Sequence, residues 1–404
     1  MGAAEPNATP MTAEKSQKSV ITGLSISQLS PLLIGVAALA AIEFSGLMSW
    51  LLGQTTFTVL TGLALLSGIV LVLSKGVADQ ADRVAELIGQ PFGTLVLTAA
   101  VMTIELALVA STMLTGEANP TLARDSMFSV VMIALTGITG LCNVISALRQ
   151  RGQITSSGHL DSSQMASPNL LGALTYFDLI STMCVLALII PNFSRSTTEG
   201  NFSEPVNVVL SIVAIGVYVV FISGQVGGYR ELYTEVQDLR PELTLGDSAA
   251  EDKETGSGSP LWLASILLVL GLLVVCLIAE SMGQLIETGI TDLGLPSSLA
   301  GVIVATLILA PEALNAIQAA SHGEVQRSIN TLYGSVVATV SLTVPAVLIL
   351  GEITGTDVIL GLEPLEMVLL GLTLFMLNPH VRLTGIEGMM KLVVFLFWIV
   401  LQVA

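Results

Sequence analysis

Long apolar runs recur along the whole chain and constrain its fold more than any other feature. About 20 residues of α-helix cross the roughly 30 Å hydrocarbon core of a bilayer. The chain is only 11% charged and has a mean hydropathy of +0.83. Polar or Gly/Pro-rich stretches separate eleven apolar runs, at about 31–52, 56–74, 91–114, 126–148, 170–191, 206–224, 260–283, 297–319, 330–351, 361–378 and 386–403. The sequence therefore predicts an all-α polytopic membrane protein with about eleven transmembrane helices.

The distribution of basic residues predicts the orientation of these helices. With the N-terminus in the cytoplasm, eleven of the fourteen Lys and Arg residues fall on the cytoplasmic side. Arg124 and Arg195 fall outside, and Lys391 lies at a membrane edge. Because Lys and Arg are enriched in cytoplasmic loops, this bias supports both the count and the orientation. We expect a multi-pass protein of the cell (inner) membrane with a cytoplasmic N-terminus.

The apolar and polar stretches divide the chain into five segments. Residues 1–30 are expected to form a disordered cytoplasmic tail, and 31–52 an accessory transmembrane helix. Two five-helix repeats, 56–224 and 260–404, are separated by an acidic cytoplasmic linker at 225–259. The linker is interpreted either as a solvated connection or as a regulatory segment that attracts cations.

Two segments within these blocks suggest an internal repeat. Residues 93–105 align with 300–312 at a constant offset of 207 residues, which superposes Glu105 on Glu312. Because each block has an odd number of spans, the two blocks must insert with opposite topology. Secondary transporters with inverted repeats bind their substrate at the repeat interface near the bilayer midplane.

The two aligned glutamates are the strongest candidates for a functional site. An ionised carboxylate in hydrocarbon costs at least ~2.5 to 3.5 kcal/mol, so an intramembrane acid is a functional hypothesis by default. Neither span carries a Lys or Arg as counter-ion, which leaves a transported cation as the natural partner. Thr98 lies one heptad from Glu105, and Asn315 lies one turn from Glu312. Hard cations such as calcium prefer oxygen ligands of these kinds.

The charge of this pair also predicts a mechanism. One divalent cation, or two protons, brings two carboxylates to zero, whereas the empty pair carries two negative charges. Moving the empty pair past an apolar barrier is costly. We therefore expect the protein to change conformation readily only when it is loaded, which is obligatory exchange.

Other functions are less well supported by the sequence. A net charge of −17 argues against a nucleic-acid partner. Glu43 and Asp178 are weaker intramembrane candidates, and Tyr176-Phe-Asp178 has the wrong spacing for a membrane aspartyl protease. Since no Gly-x-x-x-x-Gly-Lys-Ser/Thr phosphate loop occurs, an ion gradient is the expected driving force. A transporter is predicted rather than an enzyme, with no cofactor other than the transported ion.

Several motifs resemble a known family. Residues 90–114, and residues 309–315 together with 327–345, resemble the two signatures of the ChaA-type bacterial calcium/proton antiporters in the cation/calcium exchanger superfamily. The similarity runs from about residue 56 to the C-terminus and includes 362–370. It implies one accessory span ahead of two five-span repeats, and export of calcium in exchange for protons.

The resemblance also implies roles for individual residues. It makes Glu105 and Glu312 the principal ion and proton ligands, with Asn330 and Ser335 as helpers on the following helix of the second repeat. The first repeat departs from the superfamily pattern, and its candidates are Ser126, Thr136 and Asn143. The alternative function is a sodium/proton or potassium/proton antiporter that uses the same two glutamates.

Overall fold

The computed structural model describes residues 26–53, 55–89, 92–115, 120–154, 168–194, 200–233, 260–379 and 384–403. The secondary structure of these residues is helical. The helices are α1 Ile26–Ser45, α2 Leu47–Leu52, α3 Thr56–Ile88, α4 Phe92–Thr115, α5 Leu122–Met132, α6 Thr139–Ile154, α7 Leu170–Cys184, α8 Glu204–Val226, α9 Leu261–Leu293, α10 Ser298–His322, α11 Val325–Thr354, α12 Pro364–Leu377 and α13 Gly385–Val403.

Several of these helices, alone or together with the helical segment that continues them, are long and apolar enough to cross a membrane. Among the described residues, eight helical spans meet that standard, and three shorter apolar helices cover Gln28–Phe44, Thr98–Ser111 and Pro364–Leu377. The protein is accordingly an all-helical, multi-pass membrane protein. Helices α3 and α9 each have 33 residues, whereas α4 has 24 and α10 has 25. These matched lengths agree with an internal repeat, while the arrangement as two inverted five-helix units stays a prediction.

Element boundaries differ from the expected ones in three places. Helix α1 begins at Ile26, inside the segment 1–30 assigned to the N-terminal tail. The run 31–52 is divided at Gly46, whose φ of 65° is a left-handed conformation that glycine adopts without a Cβ clash. The run 126–148 contains a π-helix at Ile133–Ile138 between α5 and α6. Residues 1–25 and 234–259, which hold most of the predicted tail and linker, lie outside the described residues.

The packing of the helices brings α4, α10 and α11 together in the core. Helix α3 packs along α9, and α4 packs against both of them. Helix α5 is buried over its whole length and packs on α10. Helices α10 and α11 are joined by a turn in which Gly323 has a φ of 84°. The two predicted ion helices, α4 and α10, therefore both contact α11.

Candidate ion-binding site

Glu105 is the more completely enclosed of the two candidate glutamates. It lies on α4 with 2% of its surface exposed. The Thr339 hydroxyl donates to Oε2 at 2.9 Å, and the Thr343 hydroxyl donates to Oε1 at 2.7 Å. Both threonines belong to α11 and are themselves buried. Because residues four apart lie on one helix face, the pair provides a donor for each carboxylate oxygen.

Glu312 has a different environment on α10. It directly follows Pro311, which has no N–H to donate to the carbonyl of Leu307. Its Oε2 atom is buried, and among the described residues it has no hydrogen-bond partner. Glu312 also interacts electrostatically with Glu105. Since buried polar atoms in native proteins are nearly always paired, this oxygen is suited to a ligand that comes and goes.

A cavity of about 410 Å³ opens beside Glu312. Helices α3, α4, α8, α10 and α11 contribute its walls. The predicted site residues that line it are Thr98, Glu312, Asn315, Asn330 and Ser335. Glu105 is not among the lining residues, although its neighbours Met102 and Ile104 are. The cavity therefore reaches Glu312 directly and passes along the helix that carries Glu105.

The lining residues lie toward one side of the helix bundle. They include Asp82 near the end of α3, Gln225 at the end of α8 and Arg327 at the start of α11. Thr98 follows the start of α4, and Asn315 precedes the end of α10. We call this side, on which α3 ends and α4 begins, the cavity side, and the other the opposite side.

Asn330 takes part in a hydrogen-bond network at the rim of the cavity. Its Nδ2 donates to the carbonyl of Tyr233 at 2.6 Å, and its Oδ1 accepts from Gln326 Nε2 at 2.9 Å. Both polar ends of the side chain are therefore engaged in anchoring the turn that follows α8. Ser335 lies further along α11 and also lines the cavity.

The first-repeat candidates do not line this cavity. Ser126, Thr136 and Asn143 are all buried in the helices that follow α4. The Thr136 hydroxyl donates to the carbonyl of Met132 at 2.5 Å. The two weaker acidic candidates, Glu43 on α1 and Asp178 on α7, are exposed and also lie outside the cavity lining.

Few oxygen atoms at this site could coordinate a cation, and most of them belong to uncharged groups. No group of three or more His, Cys, Asp and Glu side chains that could hold a metal ion occurs in the part of the chain that is described. Besides the carboxylates of Glu105 and Glu312, the polar groups here are the hydroxyls of Thr339 and Thr343 on Glu105 and the cavity-lining side chains of Asn315, Asn330 and Ser335. Carboxylate, hydroxyl and amide oxygens are the ligands that hard cations prefer.

The sequence reasoning missed Thr339 and Thr343. Both lie in the segment 327–345, which the family resemblance had already singled out. Their spacing of four residues on an apolar helix was the available signal. It was ambiguous because a threonine in a membrane helix also commonly bonds to the carbonyl four residues back. Thr331 of the same helix does this, donating to the carbonyl of Arg327.

Comparisons with known proteins identify the family of this chain. The chain is 32% identical to the putative ionic transporter y4hA of Sinorhizobium fredii, covering 83% of this chain and 89% of the relative. It is 30% identical to the sodium-potassium/proton antiporter ChaA of Escherichia coli, covering 78% and 81%. The fold is similar to a crystal structure of the Ca2+/H+ antiporter protein YfkE, with a TM-score of 0.60, 16% identity and coverage of 94% and 98%. The sodium/calcium exchanger protein family matches residues 54–227 and 263–404, so the chain belongs to this family of cation/calcium exchangers.

Proposed function

We propose that this protein is a secondary-active antiporter that exports calcium from the cytoplasm in exchange for protons. The observation that carries the proposal is the buried, unpaired oxygen of Glu312 at a cavity wall, with the Glu105 carboxylate in electrostatic reach. Two carboxylates match the charge of one calcium ion. Two protons neutralise the same pair of carboxylates. The site therefore has no net charge with either substrate bound.

Coupling follows from the cost of the empty state. With neither calcium nor protons bound, two negative charges would have to cross an apolar barrier, at ~2.5 to 3.5 kcal/mol or more for each. The neutral hydroxyls of Thr339 and Thr343 moderate that cost at Glu105 without supplying a counter-charge. The protein exposes its site to the other side of the membrane only when calcium or protons are bound. Exchange of one for the other is therefore obligatory.

The described basic residues support a cytoplasmic assignment for the cavity side. Lys75, Arg83, Arg149 and Arg327 belong to helix segments on the cavity side, whereas Arg124 lies on the opposite side. Lys and Arg are enriched on the cytoplasmic side of membrane proteins. Under this proposal, the cavity that reaches Glu312 opens toward the cytoplasm, and transport proceeds by alternating access to the two sides.

Exchange of sodium or potassium for protons is the second candidate function. It is favoured by the name of the relative ChaA, a sodium-potassium/proton antiporter. The donors facing Glu105 are neutral, which also suits a monovalent ion. A monovalent ion leaves one negative charge on the pair unless one proton stays bound. The number of protons exchanged per cation would therefore differ from that for calcium.

Proton movement in inside-out membrane vesicles tests these alternatives. The vesicles are acidified, and calcium, sodium or potassium is then added while a pH-sensitive dye reports the gradient. We expect calcium to dissipate the gradient in vesicles that contain the protein, and not in vesicles without it. If sodium or potassium dissipates the gradient and calcium does not, the protein is a sodium/proton or potassium/proton antiporter and the calcium proposal is wrong. A gradient unaffected by all three cations would contradict antiport.

A further inference from the structure

A buried ion pair lies at the opposite side of the bundle, away from the cavity. Arg124 and Asp125 occupy the first turn of α5 and are 7% and 3% exposed. Arg124 Nε donates to Asp125 Oδ1 at 2.8 Å, and the Thr121 hydroxyl donates to Asp125 Oδ2 at 3.0 Å. Burial of a charged pair is costly unless its hydrogen bonds are satisfied, and here both carboxylate oxygens accept one.

The same arginine reaches across to another part of the chain. Arg124 Nη1 donates to the carbonyl of Gly361 at 2.9 Å. Gly361 lies in the non-helical residues 356–362 between α11 and α12, which we call the closing segment. Val358, Leu360 and Leu362 of this segment are buried. A guanidinium therefore joins the first turn of α5 to an apolar segment that follows α11.

Backbone hydrogen bonds hold the closing segment against three further parts of the chain. Ile359 N–H donates to the carbonyl of Pro120 at 2.9 Å. The N–H groups of Leu360 and Gly361 both donate to Gly200, and Leu362 N–H donates to Leu188 at 2.8 Å. The Asn192 amide donates to the carbonyl of Leu362 at 2.6 Å. These contacts tie the connection after α11 to the ends of α5, α7 and α8.

The ion pair is also in close contact with the helix that carries Glu312. A Cβ placed on Gly301 of α10 would lie 2.7 Å from the carbonyl carbon of Asp125. Gly301 is eleven residues before Glu312, about 16 Å along the helix axis. A change in the position of α5 relative to α10 therefore has to disturb the surroundings of Asp125.

We propose that Arg124 and Asp125, with the carbonyl of Gly361, form a latch that keeps the opposite side closed while the cavity is open. This inference rests on the proposed alternating access. Opening the opposite side requires the closing segment to move away from α5, which breaks the bond from Arg124 to Gly361. Arg124 and Asp125 are positioning residues in this scheme, since neither lines the cavity that reaches Glu312.

An acidic residue at the start of α12, Glu366, offers an alternative partner for Arg124 during opening. Glu366 interacts electrostatically with Arg124, and Glu363 interacts with Asp125. Both glutamates belong to the capping box that begins α12, directly after the closing segment. Because the Glu366 carboxylate already interacts with Arg124, the guanidinium need not be left without a counter-charge when the latch opens. A role in the latch accounts for the presence of Arg124 on the opposite side, where basic residues are otherwise rare.

Thiol labelling from the two sides of the membrane tests the latch. In a protein lacking its three native cysteines, Val358→Cys reports the closing segment and Ala338→Cys reports the cavity wall. With Arg124→Met added, we expect a membrane-impermeant thiol reagent to modify Val358→Cys from outside about tenfold faster. Modification of Ala338→Cys from the cytoplasmic side should become slower, because the two openings exclude one another.

Controls separate a latch from a general loss of structure. Asp125→Asn, which keeps the side-chain shape, should give the same reciprocal change and carries the test if Arg124→Met does not fold. Arg83→Met removes a partly exposed arginine on the cavity side, which pairs with Glu86 at 3.5 Å, and should alter neither rate. Unchanged labelling at both positions, or faster labelling at both, would overturn the latch. Labelling does not depend on which cation moves, so a latch result stands even if the calcium assignment fails.

Discussion

Removing the Thr343 hydroxyl should weaken cation binding through competition with protons. Thr343 donates to Glu105 Oε1 at 2.7 Å, the shorter of the two bonds to this carboxylate. A hydrogen bond to a charged group contributes about 1.5–3 kcal/mol. The hydroxyl stabilises the ionised carboxylate, so Thr343→Val favours the protonated form. By the relation of 1.4 kcal/mol to a factor of ten, the cation concentration for half-maximal exchange should rise about 10- to 100-fold at acid pH.

The pH dependence of this loss distinguishes the mechanism from simple damage to the site. The apparent affinity of Thr343→Val should approach that of the wild type as the pH rises, because fewer protons then compete with the cation. The assay is cation-induced proton release from inside-out vesicles, titrated with the cation at several pH values. Thr354→Val is the matched control, because this hydroxyl bonds to the carbonyl of Leu350 on the same helix.

Two outcomes would refute this reasoning. One is a half-maximal cation concentration for Thr343→Val that equals the wild-type value at acid pH. The other is a loss of the same size in Thr354→Val, which would attribute the effect to α11 as a whole. In either case the threonine hydroxyls would not be tuning the competition between cation and proton at Glu105.

Two further predictions concern the stability of the protein purified in detergent. It is measured as the temperature at which the monodisperse peak in size-exclusion chromatography is lost. Gly301→Val should lower the free energy of unfolding by about 1–3 kcal/mol, since the new side chain meets the backbone of Asp125. Gly216→Val on α8, where an added Cβ meets nothing within 4 Å, should change it far less. Lys391→Met should lower the free energy of unfolding by about 3 kcal/mol, because Lys391 is 3% exposed and its Nζ pairs with Glu387 Oε1 at 3.0 Å. Equal effects in the two glycine variants, or no effect in Lys391→Met, would contradict these assignments.

The apolar runs and the two acidic residues were predictable because each signal is contained in a short stretch of sequence. The run expected at 91–114 corresponds to α4 at Phe92–Thr115, and the run at 297–319 corresponds to α10 at Ser298–His322. A single carboxylate in such a run is conspicuous because hydrocarbon penalises charge wherever the helix packs. The expected helpers Thr98 and Asn315 line the cavity, and helical spacing had related them to Glu105 and Glu312, whereas Ser335, which also lines it, was expected from the family resemblance.

Features that depend on contacts between distant segments could not be predicted in this way. Thr339 and Glu105 are 234 residues apart, and their contact depends on the rotation of α11 relative to α4. The π-helix at Ile133–Ile138 has no composition that distinguishes it from the α-helices around it. Asn330 lines the cavity and also donates to the backbone carbonyl of Tyr233, 97 residues earlier, a contact that its own stretch of sequence does not indicate. Single-sequence patterns contain none of this relative geometry.

The most direct test of the central claim is coupled flux in proteoliposomes that contain the purified protein. Calcium entry and internal pH are followed together for the wild type, Glu105→Gln, Glu312→Gln and the control Glu352→Gln, whose side chain is exposed near the end of α11. We predict coupled calcium and proton movement in the wild type and in the control, and neither movement in Glu105→Gln or Glu312→Gln. Coupled exchange that persists in either of these two variants would contradict the assignment of its glutamate to the transport site.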